Sequence, residues 1–515
     1  MNASSTGRGS AFKSPNHVIV QFLLRSRGTV RRKCRRLAQQ LRDAKRTVAR
    51  FNRQLEQLRE QNQSLQLRVT RTFPVPQPPA LPDDPPLRRH GYGPRLISLA
   101  VNLAQAVGFR GAQRALRIVF EWWGIPQDLP HWTAIRTWVQ RLGVATLAQP
   151  LEPADDWVWI VDHSNQIGPE KALVVLAVRS SQLPPPGQAL QHHHVRMLAV
   201  RPGITWKRED VGAVYAELAT QYGVPRAVLC DGAVELRESM SALNFEGKPV
   251  LVLQDFKHKA ANRLEALLAR DPRFAEFTTQ VARTRSAIQQ TELAPLTPPS
   301  LKQKARFMNL GTLLRWAQMA LWVLEHPQAA VREWVTPERL EEKLGWLRSF
   351  AGELSVWQEC QQVLERGVTF INQQGLFRGV CRRLRRVLLR GLKSAVSRTL
   401  AGELLRFVGQ SQRRLRAGER LPLSTEILES CFALYKQLER QHAKGGFTSL
   451  LAGFAALLTP VTPSRIRSAF ACTSVQTVKQ WVQDHLGQTL TSKRVATYRE
   501  FHRETRSATK LVTTG

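Results

Sequence analysis

Between Leu37 and Val69 apolar residues return in alternating steps of four and three: Leu37, Leu41, Ala44, Val48, Phe51, Leu55, Leu58, Leu65 and Val69, with Asn62 standing once in the seam. This rhythm predicts a coiled coil over 30–70, and one Asn at a core position is what sets register in parallel two-stranded coils. The alternative is a single helix whose stripe docks on its own protein. Pro74, Pro76, Pro78, Pro79, Pro82, Pro85 and Pro86 follow. Each fixes its own backbone and lacks a helical donor, so 71–90 is expected to be a semi-rigid linker. Residues 1–29 are polar and basic and are expected to form a mobile arm.

Past the linker, helical periodicity marks 95–106, 111–123 and 133–142, punctuated by Gly108, by Gly124 with Pro126, and by Thr133 after Pro130. In the third segment Ile135, Trp138, Val139 and Leu142 share one face, while Arg136, Gln140 and Arg141 turn toward the other. A helix-turn-helix recognition helix divides its work this way: apolar residues hold it, and Arg and Gln reach base edges and phosphates. Residues 91–150 are therefore expected to be a helical DNA-binding domain, with a plain three-helix packing unit as the alternative.

From 151 the pattern changes to short β-branched runs. Strands are expected at 157–161, 172–179, 195–200, 227–230 and 250–253, with an amphipathic helix at 208–222, in the order β, β, β, α, β, α, β. Hairpin-linked strands followed by crossovers give a mixed sheet. Asp162 closes the first strand and Asp231 the fourth. Metal-dependent phosphoryl chemistry needs such carboxylates to converge, because two Mg²⁺ ions clamp the attacking and leaving oxygens of an in-line displacement. A third acid should arrive on a helix, and Glu426 and Glu429 follow the cap-like Ser424 and Thr425. Asp255, at the end of the fifth strand, competes for that role. It is expected to cap a helix or to support the site from behind, with His258 nearby. His192 to His194 follow a proline-rich turn and are expected in an exposed loop.

Residues 259–422 show helical periodicity and almost no strand pattern. Within them Arg378, Arg382, Arg386, Arg390 and Lys393 recur at helical spacing opposite Leu384, Leu388 and Leu392, with no acid between Arg378 and Arg398. Such a stripe suits phosphates along a duplex; a merely solvated face usually mixes signs. Trp316, Trp322, Trp334, Trp346 and Trp357 are expected in the core. Residues 473–487 repeat the Trp-Val-Gln of 138–140 and read as a second helical DNA contact.

Composition narrows the partners. Of 515 residues, 75 are Lys or Arg against 40 Asp or Glu, a net charge of +35 that argues against an ordinary metabolic enzyme and toward a polyanion. With 43% apolar residues and 13 Trp the chain is not a disordered basic tail. The longest apolar candidate, 310–324, carries Arg315, and no secretory signal is expected near 17–24, so the location is expected to be cytoplasmic and nucleoid-associated, without a membrane. The 6 Cys show no metal-ligand spacing and are expected to be reduced.

The words IVDHSNQIG, LCDGA, QDFKHKAAN and EILESCFALYK, in this order, resemble the DDE-type transposases of insertion sequences. In that family two aspartates end the first and fourth strands of an RNase H-like core, and a glutamate lies on a later helix with a Lys or Arg seven residues on. Lys436 stands so placed after Glu429, whereas Ala433 would follow Glu426. The resemblance covers 156–256 and 424–447. It implies Asp162, Asp231 and Glu429 as catalytic and metal-binding residues, Lys436 at a DNA phosphate, and two Mg²⁺ or Mn²⁺ ions. The departure is the long insertion, which some members carry as an all-helical cover of the active site.

The implied fold class is α/β: an RNase H-like mixed-sheet core in two parts, 151–258 and 423–460, split by an all-α insertion at 259–422. A coiled coil and a helical DNA-binding domain precede it, and a basic helical region at 461–515 follows. The implied function is a DNA transposase that binds terminal repeats, cuts DNA and transfers 3′-hydroxyl ends. Its partners are double-stranded DNA, both element ends and target, and its own copies in a dimer or higher oligomer. The alternatives are a catalytically silent, domesticated dimeric DNA-binding regulator and an RNase H-like nuclease or resolvase without strand transfer.

Overall fold

The computed structural model describes residues 16–72, 83–164, 171–243, 249–300, 310–329, 335–441, 450–487 and 493–502. The arm over 1–15, the linker prolines from Pro74 to Pro82, Trp334 and the tail beyond 502 lie outside the described residues.

The chain divides into two compact units, Met1–Asp83 and Asp84–Gly515. The first contains one helix, α1 (Asn16–Thr72). It begins within the expected mobile arm, so the second half of that arm is helical, because the stretch from 16 to 72 contains no proline and a single Gly. Leu37, Leu41, Val48, Phe51, Leu55 and Leu58 are 51–62% exposed along it, and Asn62 is exposed too. At these positions the seam is bare within its own unit.

The second unit opens with α2 (Pro94–Trp122) and α3 (Trp132–Leu147). The run consists of the two helices expected before Gly124, joined at a kink at Gly108, whose φ of 75° and ψ of 169° break the helical path. A side chain at Gly108 would collide with Gln441, so glycine is required there twice over. The end of the expected linker docks: Asp84 accepts hydrogen bonds from the Arg95 and Leu96 amides at 2.9 and 2.8 Å and caps α2.

The strands are β1 (Trp157–Ser164), β2 (Lys171–Arg179), β3 (Arg196–Gly203), β4 (Ala227–Cys230) and β5 (Leu251–Gln254), with α4 (Arg208–Tyr222) and α5 (Val234–Ala242) between the later ones. They form a 5-stranded mixed sheet ordered β3-β2-β1-β4-β5. The first three strands pair antiparallel, whereas β1–β4 and β4–β5 are parallel. This arrangement is consistent with an RNase H-like core. Both faces are covered, as the unbroken apolar run Ala172 to Val178 requires. Trp157, Trp159, Val161, Val228 and Cys230 pack with Val211, Tyr215 and Leu218 of α4 on one face. Val158, Ile160, Leu229 and Leu253 join a large helical core on the other.

The expected all-α insertion is mostly helical, with α6 (Phe256–Leu268), α7 (Pro272–Ile288), α8 (Leu310–Glu325), α9 (Pro337–Leu344), α10 (Ala351–Gln374), α11 (Val380–Leu388) and α12 (Ala395–Gln412), but it also holds a short antiparallel pair, Leu376–Phe377 with Arg420–Leu421. Phe274 and Phe277 each lie 5.2 Å from Trp357, centroid to centroid, in its aromatic centre. Trp316 and Trp357 are core residues, whereas Trp322 is exposed and stacked on His326. Then come α13 (Glu426–Arg440), α14 (Pro463–Cys472) and α15 (Val475–Leu486).

The expected separate domain at 91–150 is not separate. Asn102 exchanges hydrogen bonds with Val461 at 2.8 and 2.9 Å, Gln105 donates to the Ala456 carbonyl at 2.9 Å, and α2, α3 and residues 450–486 share one core. Helix α3 thus packs both on α2 and on 450–486. All 6 cysteines are free. Among the described residues no helix is long and apolar enough to cross a membrane.

Candidate active site and nucleic-acid surfaces

Strand alternation places the acids. On β1, Val158 and Ile160 face the large helical core, so Asp162 continues that face. On β4 Ala227 and Leu229 take the same face, and on β5 Leu251 and Leu253 do, so the next residues in step are Asp231 and Asp255. The register pairs Val161 with Cys230 and Cys230 with Gln254, which sets the three aspartates side by side at the carboxyl ends of three parallel strands. His163 points to the opposite face, where its ring stacks on Trp206. Gly232 turns the chain away directly after Asp231 with φ +100°, and a Cβ there would strike the Gln254 amide.

Asp255 is fully buried and its carboxylate is saturated. One oxygen accepts from the His258 amide at 2.6 Å and contacts the His258 ring at 2.9 Å; the other accepts from the Thr425 amide at 2.7 Å. It caps α6 and ties it to the start of α13. That tie brings Glu429 to the strand ends, since α13 buries Ile427, Leu428, Cys431, Phe432 and Tyr435 and turns its first-turn acids outward.

The electrostatics follow from this crowding. Burial first, then the charge of Asp231 and more weakly that of Glu429, push the Asp162 carboxyl up to about 7, against the pull of the His163 amide bond and of His258. Burial pulls His258 down, but its bond to Asp255 and the charges of Asp255, Asp162 and Asp231 prevail and lift it to about 8. Glu429 is held by a residue that sequence reasoning missed. Lys257 Nζ lies 2.8 Å from Glu429 and 3.6 Å from Glu426. Burial lowers the Lys257 pKa, yet the two glutamates raise it on balance. Asn372 donates to Glu426 at 2.5 Å. A basic residue two places after a strand-end acid was the only signal available for Lys257.

Hard carboxylate oxygens suit Mg²⁺ or Mn²⁺. The donor set therefore fits such ions in kind. Among the described residues, however, no three His, Cys, Asp or Glu side chains gather closely enough to hold a metal. Glu429 is instead paired with Lys257.

The expected DNA contacts divide. Lys436 lies half-buried two turns beyond Glu429 on α13. Arg382, Arg386, Arg390 and Lys393 are exposed, as are Arg383 and Arg385, and none is in an ion pair among the described residues. The stripe is shorter than expected: α11 ends at Leu388, and Arg390 and Lys393 stand on the turn before α12. Glu359 shapes that turn by accepting from the Lys393 and Ser394 amides at 3.1 and 2.8 Å. Arg378 instead donates to the Leu415 carbonyl at 3.0 and 2.7 Å. On α3 the expectation fails for Arg141, which is 7% exposed and donates to the Phe470 and Thr473 carbonyls and contacts His90 at 2.7 Å. It closes the end of α14 and cannot reach a base. Gln140 and Arg136 are half-buried, and Arg136 lies 5.7 Å from the Trp132 ring centre. His192, expected in an exposed loop, is half-buried and meets Ser430 at 2.9 Å.

No protein-family model matches the chain, and no curated protein does. Among solved structures the chain is similar to the Drosophila P element transposase strand transfer complex, at 10% identity and a TM-score of 0.38, over 77% of this chain and 98% of that one.

Proposed function

We propose that the chain is a DDE-type DNA transposase that cleaves DNA at element ends and transfers the freed 3′-hydroxyl to a target. What supports this reading most is that Asp162 and Asp231 stand side by side on adjacent parallel strands, with the Asp162 carboxyl raised to about 7 first by burial and then by Asp231. Asp162, Asp231 and Glu429 would hold two Mg²⁺ or Mn²⁺ ions, which supply charge stabilisation at the phosphate and activation of the attacking oxygen. The chain's own residues do the rest. Asp255 holds α6 to α13 and so fixes Glu429. His258, protonated below about pH 8, sets positive charge beside both aspartates. Lys436 meets a phosphate of the bound end, and Arg382, Arg386, Arg390 and Lys393 hold duplex phosphates. The bare seam of α1 pairs with that of a second copy, making a dimer or larger assembly, in the cytoplasm and on the nucleoid.

One observation favours the silent DNA-binding reading: Lys257 already neutralises Glu429. A single experiment separates these readings. Purified protein is incubated with Mg²⁺ or Mn²⁺, a target plasmid and DNA carrying the sequences that flank its own gene. Joined 3′-ends are the expected product. Cut ends without joints would indicate a nuclease, and salt-sensitive binding without cuts a regulator.

A further inference from the structure

Helix α3 exposes little of its surface, whereas α2 presents an exposed face. Its second half buries Phe109, Ala112, Leu116 and Phe120 and turns Arg110, Arg114 and Arg117 outward. No ion pair among the described residues involves these arginines. Glu121 is the single acid between 109 and 122. At the end of the helix Trp122 and Trp123 are 80% and 51% exposed, their ring centres 6.2 Å apart. At the other end Arg110 lies over the half-buried Trp132 ring at 4.9 Å, so an arginine already stacks on an indole there.

Two adjacent tryptophans this bare are uncommon on a folded surface and mark an interaction site. What they meet is narrowed by their neighbours. A second copy of this chain would bring the same three arginines and another +35 of charge, which opposes docking on this face. An intact duplex offers phosphates to the arginines but hides the faces of its bases. An unpaired strand offers both, because its phosphates can follow a basic track while its bases stack on exposed indoles.

We propose that the outer face of α2 binds an unpaired stretch of DNA, with Arg110, Arg114 and Arg117 on its phosphates and Trp122 and Trp123 stacked on its bases. The site rests on the DNA-binding part of the function proposed above and not on its chemistry. In that reaction it would seize the strand separated at a cleaved or fraying end.

The test is fluorescence anisotropy in EDTA with three labelled DNAs: a blunt duplex, the same duplex with a single-stranded overhang, and the single strand alone. Wild type is expected to prefer the overhang and the single strand. Trp122→Ala with Trp123→Ala should weaken both by roughly ten-fold or more, leave the blunt duplex within about two-fold, and be partly rescued by Phe at both positions. Arg114→Ala with Arg117→Ala should reduce the log–log salt slope on the single strand by about 1.4. Unchanged overhang binding in the tryptophan variant, or an equal loss on blunt and overhanging DNA, would overturn the proposal. So would an altered sedimentation of the tryptophan variant with DNA binding intact, which would assign the face to protein. Because metal is absent throughout, failure here leaves the reading of the acids standing, and failure of cleavage leaves this site standing.

Discussion

Helices α3 and α11 look alike in sequence and behave in opposite ways. Both set Arg against a line of apolar residues at helical spacing. On α11 the arrangement survives folding, with Val380, Leu384 and Leu388 buried and Arg382, Arg383, Arg385 and Arg386 in solvent. On α3 the buried residues, Ile135, Trp138, Val139, Arg141, Leu142, Val144, Ala145 and Leu147, run around the whole circumference. The difference lies in a segment remote in sequence: 450–486 lies on the face that periodicity would have left polar, and Arg141 becomes the donor to the end of α14. A basic face therefore stays in solvent only if nothing else in the chain claims it.

The contrast can be broken or sharpened by substitution. The largest stability loss is expected away from both helices, as a benchmark: Arg226 and Glu419 form a buried bidentate pair at 2.6 and 2.9 Å between the entry to β4 and the turn before α13. Glu419→Ala strands the guanidinium, and chemical denaturation should show a loss of about 3–5 kcal/mol. Arg141→Ala should come next, at about 2–4 kcal/mol, since two carbonyls lose a charged donor. Were Arg141 instead a DNA contact, that variant would melt like wild type and bind DNA less well.

The mirror experiment is Arg382→Ala with Arg386→Ala. Stability should stay within about 0.5 kcal/mol, while the log–log salt slope of duplex binding falls by about 1.8. The smallest expected effect is one of pH. Glu359 is held down at about 2, first by the Ser394 amide and further by Ser397 and the Lys393 amide, from an ordinary 4.5. A carboxylate depressed on folding adds stability above its ordinary pKa and loses it as pH falls through the folded value. Glu359→Gln should therefore flatten the acid loss of stability between pH 4.5 and 2, and an unchanged acid profile would show that the cap does not order the turn carrying Arg390 and Lys393.

What the sequence made legible follows the same division. The strands and α4 were readable because β-branched runs and a clear amphipathic period are local signals; β1 runs on to Ser164, past the acid expected to close it. Asp162 and Asp231 could be placed because strand ends and parity fix where a side chain points. Lys257 could not, since its partners Glu426 and Glu429 lie on a helix that only the fold brings near. Gly108 was readable as a break, and its non-helical φ and ψ separate two helical stretches there, the second of which packs Phe109 and Ala112 into the large core. The helical period of α1 was legible too, and Leu37, Leu41, Val48, Phe51, Leu55 and Leu58 are exposed along it.

The measurement that tests the central claim most directly is divalent-metal-dependent cleavage of flanking-sequence DNA by wild type, Asp231→Ala and Glu429→Gln, with DNA binding followed in the same samples. Wild type should cut only with Mg²⁺ or Mn²⁺, and both variants should bind DNA normally without cutting. Cleavage that persists in Asp231→Ala and Glu429→Gln would contradict the assignment of the site.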